Sequence, residues 1–500
     1  MGLSFIDTVI VVAYLTGVTV AGIIIGKNQR TSQDYFLGGR RLSWWAVGFS
    51  IVASETSTIT FISVPGLGYS STMQFLQLVF GFFIGRMIVS TVFIPAYYRG
   101  ALETAYDFLG KKFGLALRKF ASSVFLVTRV LASGVRLFTA AIPVHLITGY
   151  DYVTSILIIG IFTLIYTYLG GLKAVVTMDV IQMCIYLGGA LAAMILILQR
   201  LPHGWDDVVR MATAGGVNKF RIFNFSSGQS LQEFFSYPYT FAGGVIGGTF
   251  LSMASHGTDQ LLVQRLLGCK TRKESQQAIF LDATFIVIQF AFFLILGLCL
   301  FAFYNGLSVN QLGLRSSDEI FPKFIVENLP VGITGLVVAG VFASAMGSLS
   351  SAISSLASST FLDLVRESVR RELQALNREI FWSRIMTFGW GAILIGGAML
   401  FINTSHTVIE MGLQITSFTY GGLLGIFFLG LLSWRSSQLD ATIGFIVGLL
   451  TMVWIVGWTT IGFTWHTCIG CAATIIAGTI SRFVRVGMFS HKHSFTDGKV

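Results

Sequence analysis

Thirteen apolar stretches leave this chain little freedom in what it can become. Each is long enough, at about 1.5 Å of rise per residue, to cross a hydrocarbon layer as a helix. They cover 5–26, 43–70, 72–98, 119–147, 152–169, 174–199, 237–265, 279–304, 331–363, 383–402, 405–432, 440–462 and 464–482. Across 500 residues, 54% are hydrophobic and only 11% charged, which is more apolar surface than a soluble core of this size needs. The pattern predicts an all-α integral membrane protein with about 13 transmembrane helices. No cleavable leader is expected, because the first span begins at once without a basic flank. The five cysteines are scattered, and the Cys468/Cys471 pair lies in an apolar run, so neither a disulfide framework nor a metal knuckle is expected.

The formal charge of +10 is a topology signal. Its Lys and Arg gather in loops 27–42, 99–118, 266–278 and 364–382 and in the tail after 482, which thirteen spans place on one side. That side is expected to be the cytoplasm, leaving the N-terminus outside and the C-terminus inside a plasma or bacterial inner membrane. No nucleic-acid partner is implied, and a monomer or weak oligomer is expected.

Polar residues inside the apolar spans carry the functional signal. Val341–Asp363 reads VFASAMGSLSSAISSLASSTFLD, and Ser348, Ser351 and Ser355 share one helical face. Lipid offers hydroxyls no partner. They serve either close helix packing or a weak oxygen cage for a hard, singly charged ion such as Na+. The second span, WWAVGFSIVASETSTITFISVPGLGYS, puts Glu55 near mid-bilayer, where a carboxylate costs about 2.5–3.5 kcal/mol. Its Ser, Thr, Pro and Gly content predicts a broken helix lining a polar site; a buried cap bonded by Glu55 is the bland alternative. The seventh span repeats the anomaly, with four loosening glycines followed by Ser252, Ser255, His256, Thr258 and Asp259. Both odd helices open a set of five spans, 43–199 and 237–432, in opposite orientations, as in an inverted-repeat transporter with binding at the midplane. Asp179 in the sixth span is either partner to Lys173 or an arginine, or neighbour to a bound cation. Arg136 in the fourth span either pairs with a carboxylate or grips an anionic solute in a bidentate fork. The eleventh span carries Gln414 in another polar half.

Four pieces together resemble the sodium:solute symporter family: DYFLGGRRLSWWAVGFSIVASETS (34–57), GGLKAVVTMDVIQ (170–182), SHGTDQLLVQRLL (255–267) and residues 318–359, which include VFASAMGSLSSAISSLASS. The resemblance runs along nearly the whole chain. It implies a single transporter domain of LeuT type. Its five-plus-five inverted repeat is preceded by the helix 5–26 and followed by two helices (440–482) and a tail (483–500). It implies Na+ as the co-transported ion, held by the Ala53, Thr56 and Ser344 carbonyls and the Ser348 hydroxyl. It implies a second sodium set of Asp179, Ser350 and Ser351. Relatives usually have a hydroxyl just before the position of Ser348, where this chain has Gly347. The solute pocket it implies takes in Glu55, Ser57, Thr60, Gln77, Arg136, Ser252, Ser255, His256 and Gln414.

The implied function is secondary active transport, not enzyme catalysis: symport of Na+ with a small organic solute by alternating access. The solute is a carboxylate (a sialic acid, amino acid or vitamin) or a neutral sugar or polyol. A proton-coupled or facilitative carrier of the same fold, and a transporter-like membrane sensor, are the alternatives. No HExxH, P-loop or GxSxG motif supports an enzyme, and the tail is too short for a signalling domain.

Overall fold

The computed structural model describes residues 3–27, 29–216, 218–225, 230–367, 378–402, 408–432 and 436–494, with side chains undescribed at 59, 215, 408–418 and 487–494. The first helices are α1 (Phe5–Ile25), α2 (Trp44–Glu55), α3 (Thr58–Ser70), α4 (Met73–Arg99), α5 (Leu115–Thr148) and α6 (Tyr152–Arg200). They are followed by α7 (Phe241–Gly257), α8 (Gln260–Leu267), α9 (Arg272–Phe303), α10 (Ile333–Val365) and α11 (Glu379–Met399). The last are α12 (Val408–Leu431), α13 (Gln438–Trp458) and α14 (Phe463–Ser494). Among the described residues, each of the thirteen apolar stretches falls mainly on helix. By length and apolarity, however, nine helices among the described residues qualify as spans, or ten if the bent pair α2–α3 is one.

The 49-residue α6 carries two of the thirteen stretches. It breaks at Gly171, whose φ of 55° and ψ of −167° suit only glycine. A Cβ there would also stand 2.8 Å from the Tyr35 carbonyl oxygen. The break between α2 and α3 is confined to Thr56 and Ser57, with a bend of 61°. Pro65, Gly66 and Gly68, which the sequence suggested as part of the unwound region, lie inside α3. There the two glycines admit the main chain of Ser317 and Leu294. The glycines of α7 likewise leave its helix intact. They allow contact with α4, where a Cβ on Gly248 would stand 2.3 Å from the Leu78 carbonyl oxygen. The break expected in this span falls instead at Thr258–Asp259, between α7 and α8.

Two groups of helices result. One joins α2, α3, α4, α7 and α9; the other joins α5, α6, α10 and α11. α1 lies on α6 and α10, while α12, α13 and α14 pack together. α10 stands at the centre: 94% of its apolar window is buried, against 22–67% for the other spans. Its hydroxyls are therefore turned to protein on all sides, and lipid reaches almost none of it.

Candidate functional site

The break in the first pair exposes main-chain oxygen. Thr56 N–H still bonds the Val52 carbonyl at 2.9 Å, but Ser57 N–H turns to the Glu55 carbonyl at 2.8 Å. The helical ladder thus stops short of the Ala53 carbonyl, which is left facing α10. Along α10 the hydroxyl hydrogens are spent on the helix itself. Ser348 Oγ bonds the Ser344 and Ala345 carbonyls (3.2 and 3.1 Å). Ser350 and Ser351 bond the Gly347 carbonyl (3.0 and 2.6 Å). A hydroxyl that donates inward presents lone pairs outward, which suits a cation. Across the gap, Ser344 Oγ lies 3.2 Å from Thr58 Oγ1, and Ser351 Oγ lies 3.1 Å from Ser54 Oγ. Thr56 offers its own hydroxyl to Val52 and accepts from Gln289 at 2.5 Å. Among the described residues, the bonds across this contact join Ser344 to Thr58 and Ser351 to Ser54, with the Ala53 carbonyl near Gly347, whereas the Thr56 hydroxyl meets α9 and Ser348 bonds its own helix.

Asp179 and Ser351 meet through a third residue. Arg265 of α8 reaches Asp179 Oδ2 at 3.1 Å, bonds Ser351 Oγ, and donates to Ser50 Oγ at 2.9 Å. Ser50 in turn donates to Asp179 Oδ2 at 2.5 Å. The carboxylate's cationic neighbour is therefore Arg265, not Lys173. Asp179 Oδ1 is buried and makes no hydrogen bond among the described residues.

Glu55 belongs to a four-residue charge network. Arg86 of α4 bonds Glu55 and, at 2.5 Å, Asp282 of α9. His256 Nε2 lies 3.1 Å from Glu55 Oε1 and 3.4 Å from Asp282 Oδ2. Its Nδ1 is 2.8 Å from Ser255 Oγ and 3.2 Å from the Ser252 carbonyl. Two carboxylates are thus balanced by Arg86 and, when it is protonated, by His256. One residue comes from each of α2, α4, α7 and α9, so the network ties one helix group together from within. The two acids and the imidazole stand close enough to hold a metal ion, but Arg86 already takes both carboxylates.

The remaining solute-site residues separate. Ser57 and Thr60 are buried at the break. Ser252 donates to the Phe82 carbonyl at 3.0 Å. Gln77 is fully buried and occupied: its amide N–H groups go to the Gln74 and Tyr239 carbonyls (3.1 Å each), and its oxygen accepts from Asn224 N–H at 2.9 Å. It pins the loop before α7. Gln414 lies on α12 in the stretch whose side chains fall outside the described residues. Arg129 of α5 pairs with Asp259 and also bonds Tyr420 of α12 at 2.9 Å. Asp259 meanwhile caps α8 through Leu261 N–H at 2.9 Å and accepts from Tyr420. Arg86, Arg129 and Arg265 each have a carboxylate. Arg136, half-buried, makes no ion pair or hydrogen bond among the described residues.

Asp282, Gln182, Arg265 and the Asp259 pairing were not singled out from sequence as site residues. Asp282 carries the same signal that marked Glu55, a carboxylate within an apolar run. Gln182 follows Asp179 by three residues and so shares its helical face. Arg265 lies on the short helix α8 that Asp259 caps, in a motif already picked out.

The chain matches known proteins along nearly all of its length. The model of the sodium:solute symporter family matches residues 35–448. Over 484 residues the chain is 27% identical to the sodium/sialic acid symporter SiaT of Proteus mirabilis (strain HI4320), covering 96% of this chain and 95% of that one. It is 28% identical over 435 residues to sodium-coupled monocarboxylate transporter 1 of Mus musculus, covering 86% and 69%. A solved structure of a Na+-coupled sialic acid symporter, substrate-bound and outward-open, aligns with a TM-score of 0.84 at 26% identity over 96% of this chain and 98% of that one. The LeuT-type architecture implied by the four motifs is thus shared along nearly the whole chain.

Proposed function

Because the chain belongs to the sodium:solute symporter family, and is a membrane-embedded Na+-coupled transporter and not an enzyme, we propose that its solute bears a carboxylate and that Arg136 receives it. The observation that carries this reading is the state of the buried arginines. Arg86, Arg129 and Arg265 are matched by acids, whereas Arg136 has no partner among the described residues. A guanidinium fork held at membrane depth without an acid is suited to a planar oxyanion. The relatives named for sialic acid and monocarboxylates support the same solute class.

Na+ binds where α2 breaks against α10, at the Ala53, Thr56 and Ser344 carbonyls and the Ser348 hydroxyl, with Asp179, Ser350 and Ser351 beside it. The ion stabilises the outward-open form, and the solute then favours occlusion. Each ligand shifts the equilibrium by its difference in affinity between states. The repeats are 43–199 and 237–432, with 5–26 leading and 440–482 trailing. The N-terminus lies outside and the C-terminus in the cytoplasm of a cell membrane, and the protein works as a monomer or weak oligomer. The test is competition uptake in proteoliposomes across sialic acids, amino acids, short monocarboxylates, vitamins and neutral sugars. Carboxylates should compete in the wild type, and Arg136→Ala should lose them. Competition by neutral sugars alone, unchanged in Arg136→Ala, would refute the assignment.

A further inference from the structure

Gly347 makes a notch in the middle of α10, and three oxygens converge on it. A Cβ placed there would stand 2.9 Å from Gln182 Oε1, 3.4 Å from Asp179 Oδ1 and 3.9 Å from the Ala53 carbonyl oxygen. Asp179 and Gln182 are both 0% exposed. The Asp179 oxygen turned away from the notch is saturated by Ser50 and Arg265. Among the described residues, the one turned toward it has no hydrogen bond and neither amide atom of Gln182 has one, although the Tyr14 and Tyr166 hydroxyls lie beside that amide. Leaving such groups unpaired is unfavourable, and here they share one small space. A carboxylate oxygen, an amide oxygen and a main-chain carbonyl oxygen are acceptors, so they repel one another unless something positive lies between them. Hard oxygen donors with a single anionic charge suit a small monovalent cation.

We propose that Gln182 is a Na+ ligand: its amide oxygen fills the place that a side chain on α10 cannot supply at Gly347, and it holds the ion with Asp179 and the Ala53 carbonyl. The assignment rests on the Na+-coupled reading above. Gln182 then links the two sodium sets, since Ala53 belongs to one and Asp179 to the other.

The test uses the full-length protein, purified and reconstituted, with Na+-dependent thermal stabilisation and Na+-dependent uptake as readouts. Wild type should be stabilised by Na+ over K+ or choline. Gln182→Ala should raise the Na+ concentration for half-saturation by about tenfold or more, as loss of support at a metal site does. Adding Gly347→Ser restores an oxygen at the notch and should recover most of that loss; adding Gly347→Ala fills the same space without oxygen and should recover none. Gln182→Glu keeps an oxygen at near-constant size, serves if the alanine variant does not fold, and should retain Na+ binding. Unchanged half-saturation in Gln182→Ala, equal rescue by serine and alanine, or loss of Na+ response in Gln182→Glu would each overturn the assignment. A wild type indifferent to Na+ would instead bring down the coupling reading on which it stands.

Discussion

Arg86 holds two carboxylates, the fully buried Asp282 and the half-buried Glu55, with one guanidinium. Removing it strands Glu55 and Asp282 among α2, α4, α7 and α9 with only His256 to meet them. Breaking a buried pair from one side costs about 3–5 kcal/mol, so Arg86→Met should unfold at markedly lower temperature in detergent. Arg86→Met with Glu55→Gln and Asp282→Asn should recover much of the loss, because no net charge is then left stranded. A triple variant no more stable than the single one would contradict this account. The residue scale is also where the sequence was least sufficient. Glu55 stood out because a mid-bilayer charge is costly, yet its partners depend on packing between segments far apart; Arg86 and Asp282 are 196 residues apart. Gln77 is expected in the solute pocket because the family resemblance implies it there. Its amide is instead consumed by the loop before α7, and nothing local distinguishes those two uses.

Two elements turn on one residue each. α8 begins at Asp259, which caps it with one carboxylate oxygen and meets Arg129 and Tyr420 with the other. Asp259→Asn keeps a capping side chain but removes the charge that links α8 to α5. It should lower thermal stability well beyond the few tenths of a kcal/mol of a pure cap exchange. The exchange Arg129→Asp with Asp259→Arg should recover part of the difference in the same melting experiment. A melting temperature unchanged in Asp259→Asn would show that the pair contributes nothing. At Gly171, alanine meets both a positive φ and the Tyr35 carbonyl. Gly171→Ala should therefore cost more than about 1 kcal/mol and reduce the folded fraction recovered on size-exclusion chromatography, whereas Gly188→Ala, with open space around it, should not. At this scale the sequence was legible. The two broken helices, the break within 152–199 and the hydroxyl-rich centre all follow from polar or glycine residues where lipid would exclude them. Pro65 misled because a proline costs a helix one hydrogen bond without forcing it open. The glycines near it serve approach by neighbouring backbone and not unwinding.

At the scale of the molecule, two helix groups meet along α2 and α10, and the proposed ion site lies on that seam. Asp179 and Arg265 lie on the same seam, so an ion there can bias how the groups sit against each other only if the two arrangements bind it differently. The inward membrane potential adds about 2.3 kcal/mol per charge per 100 mV, and it acts on the solute only when ion and solute move together. Accumulation of a labelled carboxylate solute in proteoliposomes under an imposed Na+ gradient measures that coupling. The account predicts uphill accumulation with Na+ outside, collapse when choline or K+ replaces it, and an increase when the interior is made negative. Accumulation at the same rate and level without Na+ would contradict it.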